Sequence, residues 1–126
     1  MRKYFLGFFV IVAFFIFSAS IWPKHKEFPV TLKVDFGPAG KLAHEEKIVV
    51  EKGTTPKEAV SQVFAVQSGK TCCSFREVLG IDGVKIDPSR NRWWICELNG
   101  SRKVAPARKK LKSGDVVEWK YIEDSQ

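Results

Sequence analysis

Two periods organise the apolar positions of this chain. From Phe28 to Phe36 the period is two: Val30, Leu32, Val34 and Phe36 share one face and Thr31, Lys33 and Asp35 the other. Such alternation marks a strand half buried and half wet. Gly37-Pro38-Ala39-Gly40-Lys41 ends it, because the glycines supply unusual φ values and proline cannot join a ladder. Glu46 to Glu51 is a second short strand closed by Lys52-Gly53, and the two are expected to form a hairpin. The period then changes. Thr55, Pro56 and Glu58 make an N-cap, a first helical residue and the closing residue of a capping box. Ala59, Val60, Val63, Phe64 and Val66 follow at three- and four-residue spacing, so the pattern predicts a helix of about three turns that Gln67-Ser68-Gly69 stops.

Beyond the helix the period returns to two. Cys72, Ser74 and Arg76 alternate with Cys73, Phe75 and Glu77, which predicts a strand with a bulge or bend at Gly80, a turn at Asp82-Gly83 and a short continuation to Ile86. Asp87 to Asn91 is a loop by composition. It leads into Trp93-Trp94-Ile95-Cys96-Glu97-Leu98, a strand running into an Asn99-Gly100 turn. Trp94, Cys96 and Leu98 are expected to face the core, with Trp93, Ile95 and Glu97 on the other face and Trp93 the surface aromatic. After a basic connector and a turn at Ser113-Gly114-Asp115, Val116 to Ile122 is a last strand, with Val117, Trp119 and Tyr121 on one face. Strand, strand, helix and further strands predict an α+β fold: a β-grasp-like mixed sheet of four to five strands covered by one helix, with the first and last strands as parallel neighbours. The domain is read as residues 28–123, with 124–126 a tail.

The N-terminus has a different composition. Tyr4 to Pro23 carries no charge, follows Arg2 and Lys3, and ends in the small residues Ser18-Ala19-Ser20. This predicts an apolar helix over 1–20 that is either a cleaved signal peptide or an uncleaved anchor, with 21–27 as linker. Either form places the domain outside the cytoplasm, as a secreted, periplasmic or membrane-anchored protein. The formal net charge is +7, from 21 Lys and Arg against 14 Asp and Glu. Two of those cations belong to the leader, and the remaining balance favours anionic neighbours weakly.

Candidate chemistry is sparse. Cys72, Cys73 and Cys96 are compatible with one disulfide in an oxidising compartment, with buried reduced thiols, or with a redox role. Adjacent cysteines on a strand face opposite ways, so only one of Cys72 and Cys73 could match Cys96. No metal site is expected, because the histidines are His25 and His44 and no two cysteines are spaced as metal ligands. Arg102, Lys103, Arg108, Lys109, Lys110 and Lys112 form a basic patch beside Pro106, to be read as a solvated loop or as a docking surface for an anionic envelope partner. Nucleic acid is not expected as a partner of an exported chain. Neither a nucleophile motif nor a phosphate-cradling glycine loop is present, so the chain reads as a non-enzyme.

Gly53-Thr54-Thr55 before the helix, the Ile81-Asp82-Gly83 turn, Trp94 five residues ahead of Asn99-Gly100, and Leu111 to Trp119 occur in an order and spacing with a counterpart. From about Val30 to Ile122 the chain resembles the transcobalamin-like C-terminal domain family, β-grasp modules of extracytoplasmic proteins that bind soluble ligands. In the animal vitamin B12 carriers the similar domain is one jaw of a cobalamin clamp, and the other jaw is a helical barrel with no counterpart in this sequence. The resemblance implies a small-molecule ligand such as cobalamin or a related corrinoid, with Trp93, Trp94, Asn99 and Gly100 as the contact edge. The alternative is a cell-envelope protein-interaction module that uses a sheet edge or the 102–112 connector, with the membrane a further contact if the leader is retained.

Overall fold

The computed structural model describes residues 26–71 and 74–125. The leader, most of the linker, and Cys72 and Cys73 lie outside the described residues. The first hairpin forms as the alternation predicts: β1 (Glu27–Asp35) and β2 (His44–Glu51) are antiparallel, with Val30 opposite Ile48. The last strand, β7 (Val116–Glu123), runs parallel to β1 with Leu32 beside Val117. On its other side it pairs antiparallel with β6 (Arg92–Leu98), giving the order β2-β1-β7-β6. Parallel neighbours require a crossover, and the intervening helix and strands supply it.

Every apolar face assigned from the alternation is the buried one. Val30, Leu32, Val34 and Phe36 from β1 and the residue after it join Val117, Trp119 and Tyr121 from β7 and Trp94, Cys96 and Leu98 from β6 in one core. Leu32 and Val117 are fully enclosed, at 0 % exposure. The opposite face of this sheet is wet and ionic: Glu97 on β6 sits between Lys120, at 3.1 Å, and Arg102, also at 3.1 Å. Hydrogen bonds from Lys120 and then Arg102 hold the Glu97 carboxyl below the usual carboxylate range, and the same contact with Glu97, then Glu118, raises Lys120.

The helix is shorter than its apolar stripe predicts. α1 spans Pro56–Ser61, with the capping box formed: the Glu58 N–H donates to the Thr55 hydroxyl at 3.3 Å, and the Glu58 carboxylate accepts from the Thr55 N–H at 3.4 Å. Val63 and Phe64 follow as a final turn whose N–H groups donate to the Val60 carbonyl, and both still pack on the core. Val66 then starts a strand rather than closing the helix. Its pairing with Ile81 satisfies backbone groups that a further helical turn would have used internally, and Gln67, Ser68 and Gly69 are strand residues instead of a stop signal.

The strands after the helix leave the main sheet. β3 (Val66–Thr71), β4 (Ser74–Ile81) and β5 (Val84–Lys85) form a second sheet of three antiparallel strands, so the described residues make two small sheets and one short α-helix rather than one sheet of four to five strands. The bulge beside Gly80 is present: Gly80 faces Gln67 and Val78 faces Ser68, which leaves Leu79 without a partner on β3. Asp82 and Gly83 both take positive φ, at 51° and 79°, and close the β4–β5 hairpin. This second sheet is fastened to the first through side chains. The Trp94 indole N–H donates to the Val84 carbonyl at 2.8 Å and the Tyr121 hydroxyl to the Lys85 carbonyl at 2.8 Å.

Candidate ligand-binding site

β6 ends the four-stranded sheet, and its outer edge, which no further strand joins among the described residues, opens onto a cavity of about 330 Å³. Trp93 and Trp94 come from opposite faces of the strand and both line it, which places the cavity at the edge rather than over either face. Cys96 and Trp119 form the floor, Val78 and Ile86 the wall on the side of the second sheet, and residues 105–108 of the basic connector the opposite wall.

Each tryptophan that lines the cavity is held by its own nitrogen. The Trp93 indole N–H donates to the Asn91 side-chain oxygen at 2.7 Å, that of Trp94 to Val84, and that of Trp119 to the Pro56 carbonyl at 3.2 Å. With the indole N–H groups already bonded, the rings offer the cavity apolar surface. Trp94 is further fixed by Phe36 edge-on at 5.7 Å and Tyr121 tilted at 5.2 Å between ring centres. The charged group on the lining is Arg108.

The connector wall depends on contacts distant in sequence. The Lys57 N–H, in the first turn of α1, donates to the Pro106 carbonyl at 3.0 Å, and the Leu111 N–H donates to the Thr54 carbonyl at 2.9 Å. Leu111 itself is buried. Between these anchors the N–H groups of Arg108 and Lys109 both donate to the Ala105 carbonyl, a single helical turn that presents Arg108 at the cavity. The basic stretch is therefore a braced wall, with Lys110 and Lys112 on its exposed outer side and Arg102 drawn away to Glu97.

The residues singled out in the sequence separate into two places. Trp93 and Trp94 are in the cavity. Asn99 and Gly100 lie outside it and build a turn: both have positive φ, 51° and 83°, the Asn99 amide donates to Asp115 at 3.0 Å, and its oxygen accepts from the Val116 N–H at 2.8 Å. Val78, Ile86, Ala105 and Ala107 are the lining residues that local patterning does not mark, and Arg108, named in the sequence as part of the basic patch, joins Trp93 and Trp94 at the cavity. Pro106 within a basic run is the single local sign that the connector is structured.

Cys96 corrects a second expectation. It is a free, buried thiol, so the bridge from Cys96 to Cys72 or Cys73 is not formed. The alternation that brings Cys96 inward buries it in the core, at 7 % exposure on the cavity floor. Burial, with a smaller contribution from the Glu97 charge, pushes its pKa up from 9.0 to about 12. The folded chain keeps a proton that the unfolded chain releases near pH 9, so this group contributes stability below pH 9.0 that is lost as pH rises towards about 12. At neutral pH Cys96 is expected to resist iodoacetamide in the folded chain and to react once denatured, with mass spectrometry identifying the modified peptide. Labelling at the free-thiol rate without denaturant would contradict its burial.

Among the described residues, no three His, Cys, Asp or Glu side chains come together to hold a metal ion, and no helix is long and apolar enough to cross a membrane. No protein-family model matches the chain, and no curated protein matches it in sequence. Solved structures do share its fold. Haptocorrin in complex with cobinamide aligns with 84% of this chain at a TM-score of 0.63 and 13% identity, and the aligned region is 28% of the haptocorrin chain. A protein from Ruminococcus gnavus, provisionally named as metal-binding, aligns with 78% of this chain and 99% of its own, at a TM-score of 0.60 and 16% identity. At such identities the likeness establishes a shared fold.

Proposed function

We propose that this chain is a non-catalytic binding module of the transcobalamin-like type, acting outside the cytoplasm, and that its ligand site is the cavity at the open edge of β6. The observation that carries this reading is the convergence of Trp93, Trp94 and Trp119 on one cavity with every indole N–H already bonded. Rings held in this way present a rigid apolar platform, and little conformational entropy is lost when a flat ligand settles on it. The cavity volume of about 330 Å³ lies at the small end of ligand pockets, which span roughly 300–1,000 Å³. It would take one edge of a large flat ligand and leave the rest outside.

The fold shared with haptocorrin makes a corrinoid the first ligand to test, and cobinamide the form to use. A binding role fits the state of the one ionisable floor group better than catalysis does, because a thiol whose pKa is pushed to about 12 is no nucleophile at neutral pH. Export is supported by the uncharged run Tyr4 to Pro23 behind Arg2 and Lys3. Equilibrium dialysis of the full-length chain against cobinamide, read by corrinoid absorbance, tests the reading. Saturable binding is expected, weakened about tenfold in Trp93→Ala and largely kept in Trp93→Phe, the cost of removing one aromatic contact. Absence of saturable binding, or binding that ignores Trp93→Ala, would overturn it.

A further inference from the structure

The backbone of β6 carries a second kind of recognition surface. At one end of the strand the Arg92 N–H and carbonyl exchange hydrogen bonds with Asp87, both at 2.9 Å. At the other end Leu98 does the same with Ser101, at 2.9 and 3.0 Å. Both exchanges lie on the side of the strand away from β7. In an antiparallel pair the backbone groups of successive residues point to alternate sides, so the groups of Trp94 and Cys96 share that outward side with Arg92 and Leu98. No backbone hydrogen bond reaches them among the described residues. The result is a short open slot in the edge, two residues long, stoppered at each end and facing the cavity.

Exposed edges are commonly guarded by proline, inward-pointing charge or a bulge. β6 has none of these at its centre: its register with β7 is unbroken, and Glu97 is turned to the wet face, where Lys120 and Arg102 hold it. Charge selects what could fill the slot. A second hollow, which shares Ala105 and Arg108 with the first, continues along the strand past Leu98 and is rimmed by Lys103 and Lys109. Lys103, Arg108, Lys109 and Lys110 have no carboxylate partner among the described residues, in contrast to Arg102. Two β6 edges paired about a two-fold axis would bring these cations face to face, which disfavours a second copy of this chain as the occupant.

We infer that the β6 edge accepts an extended acidic peptide segment by strand addition, with Trp94 and Cys96 forming the ladder and Arg108 and its lysine neighbours attracting the carboxylates. Main-chain bonds supply affinity in this mode and the flanking hollows select side chains. The inference rests on the cavity being the binding site, and it adds a partner of different chemistry to that site.

The test uses the full-length ¹⁵N-labelled chain and a blocked peptide, Asp-Val-Glu-Val-Asp, with Lys-Val-Lys-Val-Lys and a backbone-N-methylated acidic peptide as controls. In the free protein the Trp94 and Cys96 amides should exchange faster with solvent than those of Trp93 and Ile95, which are paired to β7. The acidic peptide should bind saturably and slow exchange at Trp94 and Cys96. Both controls should fail, and the exposed substitution Arg108→Glu should weaken the acidic peptide by about tenfold or more through repulsion, with the folded spectrum retained. Trp94 and Cys96 amides already protected in the free chain, equal binding of the basic peptide, indifference to N-methylation, or no saturation at millimolar peptide would each overturn the inference. Cobinamide added to the same samples separates the two readings. Cobinamide binding without peptide binding leaves the cavity reading standing and removes this one, whereas binding of neither removes both.

Discussion

Replacing Trp119 by alanine is expected to destabilise the fold by about 3–5 kcal/mol, the range for deleting a buried tryptophan side chain. Trp119 lies on β7, between β1 and β6, is 2 % exposed, and its indole N–H reaches the Pro56 carbonyl at 3.2 Å across the start of α1. Removing the ring opens a void on the floor of the cavity beside β6 and strips the helix start of its tie to the sheet. Against a typical domain stability of about 5–15 kcal/mol this is a large fraction. Urea unfolding followed by far-ultraviolet circular dichroism should show the midpoint falling steeply. Trp119→Phe separates the two contributions. It keeps most of the packing and leaves the Pro56 carbonyl unpaired, so a loss of about 1–3 kcal/mol is expected. A Trp119→Ala protein within about 1 kcal/mol of the parent by the same measurement would mean that the indole is not core, since deleting a buried tryptophan side chain costs about 3–5 kcal/mol.

The second large effect is expected at a glycine. Gly37 follows β1 with φ +42°, and a Cβ placed there would stand 2.2 Å from the Tyr121 carbonyl oxygen, a backbone atom of β7 that cannot swing aside. Gly37→Ala therefore combines an unfavourable left-handed φ with a clash against a central strand, for about 2–4 kcal/mol. Gly40 is the internal comparison: its φ is +77°, but nothing lies within 4 Å of an added Cβ. Gly40→Ala should cost only the conformational part, about 1 kcal/mol. Similar thermal midpoints for the two variants would show that β7 yields at Tyr121 or that the end of β1 does not lie where the structure places it.

The strands were legible because alternation records burial residue by residue. Val30, Leu32 and Val34, Trp94, Cys96 and Leu98, and Val117, Trp119 and Tyr121 each declared their inner face, and each is buried. The parallel pairing of β1 and β7 followed from element order alone. Turn chemistry was equally readable at Asp82-Gly83 and Asn99-Gly100, where both residues of each pair take positive φ.

What escaped the sequence depends on partners far along the chain. The stripe Ala59, Val60, Val63, Phe64 and Val66 fits a helix, but Val66 pairs with Ile81, and no local pattern reveals that bond. The same holds for the split into two sheets. At the site, Trp93 and Trp94 could be named as aromatics beside a turn, whereas Arg108 reaches the cavity only because the Lys57 N–H and the Thr54 carbonyl tether the connector from about 50 residues away. Asn99 shows the converse. It stands out in sequence as a polar residue at a strand end, yet its amide and oxygen are both engaged in closing the turn onto Asp115 and Val116.

The most direct test of the cavity as the binding site uses the tryptophans as reporters. The chain has four, at positions 22, 93, 94 and 119, and each gives an indole N–H resonance in a ¹H–¹⁵N correlation spectrum. Assigned by single Trp→Phe substitutions and followed during a cobinamide titration of the full-length chain, the resonances of Trp93, Trp94 and Trp119 should shift together and saturate at one concentration. Saturable binding that leaves those three unchanged would place the ligand elsewhere on the molecule and contradict the assignment of the β6 edge.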